Sequence, residues 1–150
     1  MYKHILVPTD GSELSQSAVE QGLEFAKSIG ASVTFFTVTA PIQVYGVTGE
    51  PLAAGFDDYT KMAREEGARR LADAERRAAA AGVPCQTRMT ESDHPWQAII
   101  DAANDAGCDL IAMASHGRRG LSGLVLGSET LKVLTHSTIP VLVYRQPRGR

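Results

Sequence analysis

Asp109-Leu110-Ile111-Ala112-Met113-Ala114-Ser115-His116-Gly117-Arg118-Arg119-Gly120-Leu121-Ser122-Gly123-Leu124-Val125-Leu126-Gly127-Ser128-Glu129-Thr130-Leu131-Lys132-Val133-Leu134 passes from an apolar run, through a glycine-rich loop, into a helical pattern. The run Asp109 to Met113 has no polar alternation, which suits a strand covered on both faces, as in a parallel sheet. Glu129 to Leu134 reads as a helix. A glycine-rich loop between strand and helix aims free backbone N–H groups, and the positive end of the helix dipole, at one point. Arg118 and Arg119 add forked positive donors there. A phosphate, and with it a nucleotide, is the natural occupant.

Strand and helix patterns alternate on both sides of this stretch. Residues 3–8 form a first strand around Ile5, Leu6 and Val7, and Asp10-Gly11-Ser12 supplies a turn and a helix N-cap. Leu14, Ala18, Val19, Leu23, Phe25 and Ala26 follow at helical spacing as far as Gly30. Residues 31–38, with Val33, Phe35, Phe36 and Val38, form a second strand. Asp57 to Ala81 is a long helix whose charges, Arg64, Glu65, Arg69, Arg70, Asp73, Glu75, Arg76 and Arg77 among them, read as a solvated face with helical ion pairs. Val83 to Met89 is a third strand, with Pro84 excluding one ladder donor. Pro95 opens a helix carrying Trp96, Ile99, Ile100 and Ala103, and Pro140 to Tyr144 closes the series as a fifth strand.

The order βαβαβαβαβ with helical crossovers predicts a single α/β domain over residues 1–150. It should hold a doubly wound five-stranded parallel sheet in the order 3-2-1-4-5, helices on both faces. Residues 40–57, punctuated by Pro41, Gly46, Gly49, Pro51 and Gly55, interrupt the alternation. They read as a flexible insertion, a lid or a partner-binding loop. Residues 146–150 read as a frayed tail.

Composition narrows the classes. Of the 150 residues, 43% are hydrophobic, enough for a buried core, and the formal net charge is −2. That balance disfavours a protein that coats nucleic acid or an anionic membrane. No apolar run approaches the roughly 18 residues of a membrane span, and the chain enters a strand without a signal-like segment. Cys85 and Cys108 lack CxxC spacing and read as free thiols in a reducing, cytoplasmic compartment.

In open α/β sheets ligands sit beyond the carboxyl ends of strands where the strand order reverses, here between Pro8-Thr9-Asp10 and Ala114 through Gly117. Asp10 reads either as a cap on the following helix or as a ligand group. In the second reading it would bond a ribose or adenine edge, or help to hold a metal such as magnesium beside phosphates. No Gly-Lys-[Ser/Thr] occurs, and GxGxxG is absent after the first strand, so neither of the two familiar phosphate cradles is present.

Several segments together resemble the universal stress proteins. These are Ile5-Leu6-Val7-Pro8-Thr9-Asp10-Gly11-Ser12, Ser115-His116-Gly117-Arg118-Arg119-Gly120, Leu126-Gly127-Ser128 and Ile139-Pro140-Val141-Leu142-Val143, and the resemblance spans essentially the whole chain. The family's ATP-binding branch carries G-x2-G-x9-G-[ST]. Here Gly117 is the second glycine, Gly127-Ser128 closes the motif, and Ala114 stands at the first position. An alanine is tolerable there at negative φ and obstructive at positive φ. The resemblance implies an adenine nucleotide alpha hydrolase-like fold binding ATP or AMP. Pro8, Thr9 and Asp10 would line the adenosine, Val38 would meet adenine through its backbone, and Met113 and Ala114 would flank the sugar. Gly117, Arg118, Arg119, Gly127, Ser128 and Glu129 would lie along the phosphates.

His116 belongs to the same nucleotide loop and reads as a hydrogen-bonder that fixes it, since no Ser, Cys or carboxylate pairs with it as a catalytic base would require. His4, His94 and His136 have no metal-ligand spacing. Without a Walker-type lysine the expectation is a nucleotide-dependent stress-response or signalling module with at most slow hydrolysis. The alternatives are a nucleotide-free interaction module and a slow ATP hydrolase. An apolar edge strand from Ile139 to Tyr144 should pair with its symmetry mate in a homodimer, leaving the further protein partner unnamed.

Overall fold

A computed structural model of the chain describes residues 1–41, 56–117 and 125–145. Arg118 and Arg119, most of the expected insertion (residues 42–55) and the tail 146–150 lie outside the described residues. The elements are β1 (His4–Pro8), α1 (Glu13–Ile29), β2 (Ser32–Thr39), α2 (Phe56–Ala81), β3 (Cys85–Glu91), α3 (Pro95–Asp105), β4 (Leu110–Ala114), α4 (Ser128–His136) and β5 (Val141–Tyr144). The five strands form one sheet in the order β3-β2-β1-β4-β5, and every pairing is parallel. The expected doubly wound topology is therefore present.

Alternation along the strands divides the core. Ile5, Val7, Val33, Phe35, Leu110 and Ala112 face α1 and α2, where Val19, Leu23, Leu71, Ala74 and Ala78 meet them. Leu6, Phe36, Ile111 and Met113 face the other way, against Ile99, Ile100 and Ala103 of α3 and Val133 of α4. The central strand β1 is buried on both faces at Ile5, Leu6 and Val7, which is why its sequence shows no alternation. The edge strand β3 is exposed at six of its seven positions, in keeping with its polar residues.

Several strand boundaries differ by one or two residues from the expected ones, and hydrogen bonding explains two of them. β3 begins at Cys85 rather than Val83 because the Val83 N–H is used in closing α2, donating to the Ala78 carbonyl at 3.0 Å. Pro84, which has no N–H, contributes only its carbonyl, to the Val33 N–H at 2.9 Å. Pro140 does the same at the start of β5: its carbonyl accepts from Ile111 at 3.0 Å, and the strand proper begins at Val141. β2 starts and ends one residue later than expected, at Ser32 and Thr39.

Candidate functional site

β1 and β4 are neighbours, as the expected topology requires, so their carboxyl ends flank the point of strand-order reversal. Buried hydroxyls brace the β1 end. The Thr9 N–H donates to the Phe36 carbonyl at 2.8 Å, and the Thr37 hydroxyl donates to the Thr9 carbonyl at 2.8 Å. Thr9 Oγ1 lies 3.2 Å from Ser15 Oγ, inside the first turn of α1. Gly11 then turns the chain at φ 81°, in the left-handed region where a side chain would be strained. Asp10 Oδ1 accepts the Ser12 N–H at 2.9 Å, and Ser12 Oγ caps α1 by accepting from Ser15 at 3.2 Å. The N-cap is thus Ser12, and Asp10 shapes the turn that delivers it.

The β4 end is held in a comparable way. The Ser115 N–H donates to the Tyr144 carbonyl at 2.9 Å, and the Ser115 carbonyl accepts from Gly127 at 2.8 Å. That second bond closes the loop base, bringing the two ends of the motif together. Thr130, buried in α4, donates its hydroxyl to the Ala114 carbonyl at 2.9 Å. Ser115 Oγ lies 3.2 Å from His116 Nδ1: a serine does pair with this histidine, contrary to expectation, because adjacent side chains of the loop turn toward each other, and the contact ties His116 to its own loop.

Ala114 is the last residue of β4, and among the described residues only glycines take positive φ. Its methyl group therefore carries no conformational penalty. Strand alternation places that methyl on the same face as Leu110 and Ala112.

Close approach accounts for the two motif glycines. A Cβ added at Gly117 would lie 2.5 Å from Asp10 Oδ2, so the β4 loop and the β1 turn meet backbone to carboxylate. A Cβ at Gly127 would lie 2.9 Å from the Cα of His116, a backbone atom that cannot swing aside. Gly127 has φ −61°, so bulk and not backbone conformation restricts this position. It is also the N-cap of α4 and has no side chain with which to cap it. Gly127 thus brings no capping side chain to the first N–H groups of α4, in contrast with the Ser12-capped α1. The exposed Ser128 stands at the same helix start.

The remaining expected residues fall in different places. Pro8 and Val38 are half-buried at the carboxyl ends of neighbouring strands. Met113 is buried in the α3–α4 core, and its backbone pairs with Val143 of β5. The Glu129 carboxylate accepts the Trp96 N–H at 2.8 Å, capping α3, and lies 3.9 Å from Lys132 Nζ. This structural task was not foreseen for it. Arg118 and Arg119 lie outside the described residues. Among the described residues no three His, Cys, Asp or Glu side chains converge as a metal cluster.

The braces were missed by sequence reasoning: Ser15, Thr37, Ser115 and Thr130 are all buried hydroxyl residues. A signal for them existed. Thr37 interrupts an apolar strand, and Thr9, Ser12 and Ser15 recur at a three-residue spacing through the first turn.

A doubly wound parallel sheet with close-packed glycines at its strand-order reversal defines the class of open α/β folds whose crevice lies beyond the carboxyl ends of the strands. More particularly, the family model described as the universal stress protein family matches residues 1–145, and the chain belongs to that family. It is 32% identical over 148 residues to universal stress protein MJ0531 of Methanocaldococcus jannaschii, covering 99% of this chain and 85% of that one. The solved structure of MJ0577 superposes with a TM-score of 0.84 at 26% identity, covering 99% of both chains. A universal stress protein solved in complex with cAMP matches with a TM-score of 0.70 at 27% identity, covering 95% of this chain and 97% of that one.

Proposed function

We propose that this universal stress protein binds an adenine nucleotide, ATP or AMP, in the crevice between β1 and β4. The bound state would serve as a stress-response or signalling state read by a protein partner. The observation that carries the reading is the approach of Gly117 to the Asp10 carboxylate, beside an α4 N-terminus whose cap residue has no side chain. That arrangement supports adenosine on the Thr9–Asp10 side, with Pro8, Val38, Met113 and Ala114 supplying mainly backbone and van der Waals surface. Phosphates would lie against the N–H groups and hydroxyl of Ser128, with Gly117, Gly127, His116 and the arginines 118 and 119 around them. Complex formation with cAMP by a relative supports the ligand class. A magnesium ion would be held jointly by the phosphates and Asp10.

Binding rather than turnover is the proposed role. The chain has no Walker-type lysine, and His116 is tied to Ser115 of its own loop, which supports binding over hydrolysis. Among the described residues no helix is long and apolar enough to cross a membrane. We place the protein in the cytoplasm, where Cys85 and Cys108 remain free thiols.

Purified protein tests the reading. Nucleotide released on denaturation, together with saturable titration by ATP or AMP, supports it. Protein that neither carries nor binds an adenine nucleotide would instead be an interaction module with a structural loop. Rapid multiple turnover of ATP would identify an enzyme.

A further inference from the structure

The charged face of α2 is not simply solvated. Glu66, Arg70, Asp73 and Arg77 recur on one side of the helix and turn toward the start of α1, where they border a cavity of about 250 Å³. Thr9, Gly11 and Gln16 border the same cavity from the β1–α1 side. Its volume is below the roughly 300 Å³ at which sites for drug-sized ligands begin. A small ion fits it better than a whole nucleotide.

Its formal charges balance only when Glu20 of α1, the partner of Arg77, is counted, and the partners are unevenly shared. Three guanidinium groups, those of Arg69, Arg70 and Arg77, border the space against the two carboxylates of Glu66 and Asp73. Arg77 is committed, donating through Nε to Asp73 at 3.0 Å and through a terminal nitrogen to Glu20 of α1. Arg70 gives one terminal nitrogen to Glu66 at 2.9 Å, while its buried Nε–H has no acceptor. Arg69 has no ion pair among the described residues. The Gly11 N–H makes only a 3.5 Å contact with Thr9 Oγ1, at the outer limit of a hydrogen bond. An unmet guanidinium donor in a buried position is costly, and a forked guanidinium matches a tetrahedral oxyanion in charge and shape.

We propose that the cavity between α1 and α2 is a second anion site, taking a phosphate-type oxyanion on Arg69, the Arg70 Nε–H and the Gly11 N–H. It does not depend on the nucleotide reading, since no α2 residue belongs to that site and only Thr9 borders both. The shared chemistry has two sources, free phosphate or a phosphate group carried on a nucleotide.

Calorimetric titration at low ionic strength with inorganic phosphate, pyrophosphate and ATP separates them, using wild type, R69Q, R70K and G117W. R70K retains the charge that faces Glu66 and removes the Nε–H, and R69Q alters an exposed residue, so both should keep the fold, with circular dichroism as the check. Saturable phosphate binding that survives G117W and falls about tenfold in R69Q and R70K, the loss of one charge-assisted hydrogen bond, is the expected result. If ATP affinity stays unchanged in R69Q, free phosphate is the source; if it falls in parallel, the phosphate arrives on the nucleotide. Absence of saturable phosphate or pyrophosphate binding overturns the proposal. So does binding that G117W abolishes and the arginine variants leave intact.

Discussion

At Gly117 a single added methyl group would meet a carboxylate. A Cβ there would lie 2.5 Å from Asp10 Oδ2, the end of a side chain, so any substitution has to push that carboxylate aside. Gly117→Trp should therefore displace the Asp10 side or the loop while leaving the sheet intact. ATP affinity should drop by at least about tenfold, the worth of one charge-assisted hydrogen bond. Ser128→Ala should cost less, about 1 kcal/mol, because the backbone donors of α4 remain. Titration calorimetry on both variants checks the order, and unchanged ATP affinity in Gly117→Trp would remove the crevice from consideration.

A second residue acts at the opposite end of β1. Asp109 accepts the N–H groups of Lys3 at 2.9 Å and His4 at 3.0 Å. Burial opposes ionisation of this carboxyl group. The backbone donors of His4 and Lys3, its own N–H and the nearby His4 outweigh that effect and hold it below the usual carboxylate range. A depressed folded value means that the stabilisation is present above the unfolded value of about 3.9 and is lost as pH falls through the folded one. Asp109→Asn should thus be less stable than wild type at neutral pH. The gap should close below about pH 4, as denaturant midpoints across that range would show. A constant gap down to pH 2 would contradict the assignment.

At the scale of elements, the β4–loop–α4 unit is joined by hydroxyls rather than by apolar packing alone. Thr130 ties α4 to the end of β4, and Glu129 ties α4 to the start of α3. Thr130→Val keeps the shape and removes the donor, so urea denaturation should show a loss of about 1 kcal/mol, recovered in Thr130→Ser. Equal stability of the valine variant would mean that the bond contributes nothing net. These ties also show where the sequence stops being legible. A threonine in the first turn of a short helix has several local uses. Only the folding of α4 back over β4, sixteen residues earlier in the chain, selects this one. Glu129 is similar: a carboxylate at a helix start suits the dipole of its own helix, yet its side chain serves α3.

At the scale of the molecule, β5 is an edge strand whose four residues are all half-buried. Leu131 and Leu134 of α4 are exposed, at 54% and 39%. Apolar side chains beside unpaired strand groups suit a two-fold partner better than water, and we propose a homodimer paired through β5 from Val141 onward. Strand alternation puts Val143 on the same face as Val141, which packs toward the α3–α4 core, while Leu142 and Tyr144 pack on the other. Val143→Lys should yield monomers in sedimentation velocity. A wild-type protein that sediments as a monomer at micromolar concentration would refute the dimer and leave the nucleotide site standing.

Hydrophobic period and turn chemistry are local properties, and they sufficed for the element order, the doubly wound sheet and the two faces of its core. Uniformly apolar Ile5-Leu6-Val7 and Leu110-Ile111-Ala112 suit strands covered on both faces, and Gly30, at φ 71°, stops α1 where a side chain would be strained. Motif spacing likewise placed the glycine-rich loop between β4 and α4, at the strand next to β1. What sequence could not supply were relations between residues distant in the chain: the contact of Gly117 with Asp10, the braces on Thr9 and Ala114, and the engagement of Glu129 by Trp96. The α2 arginines make the same point. Their spacing expresses helical ion pairs, but whether a guanidinium is solvated or left without an acceptor depends on α1 packing across it. Burial and hydrogen-bond satisfaction are properties of assembled elements, so they were decided only by the tertiary structure.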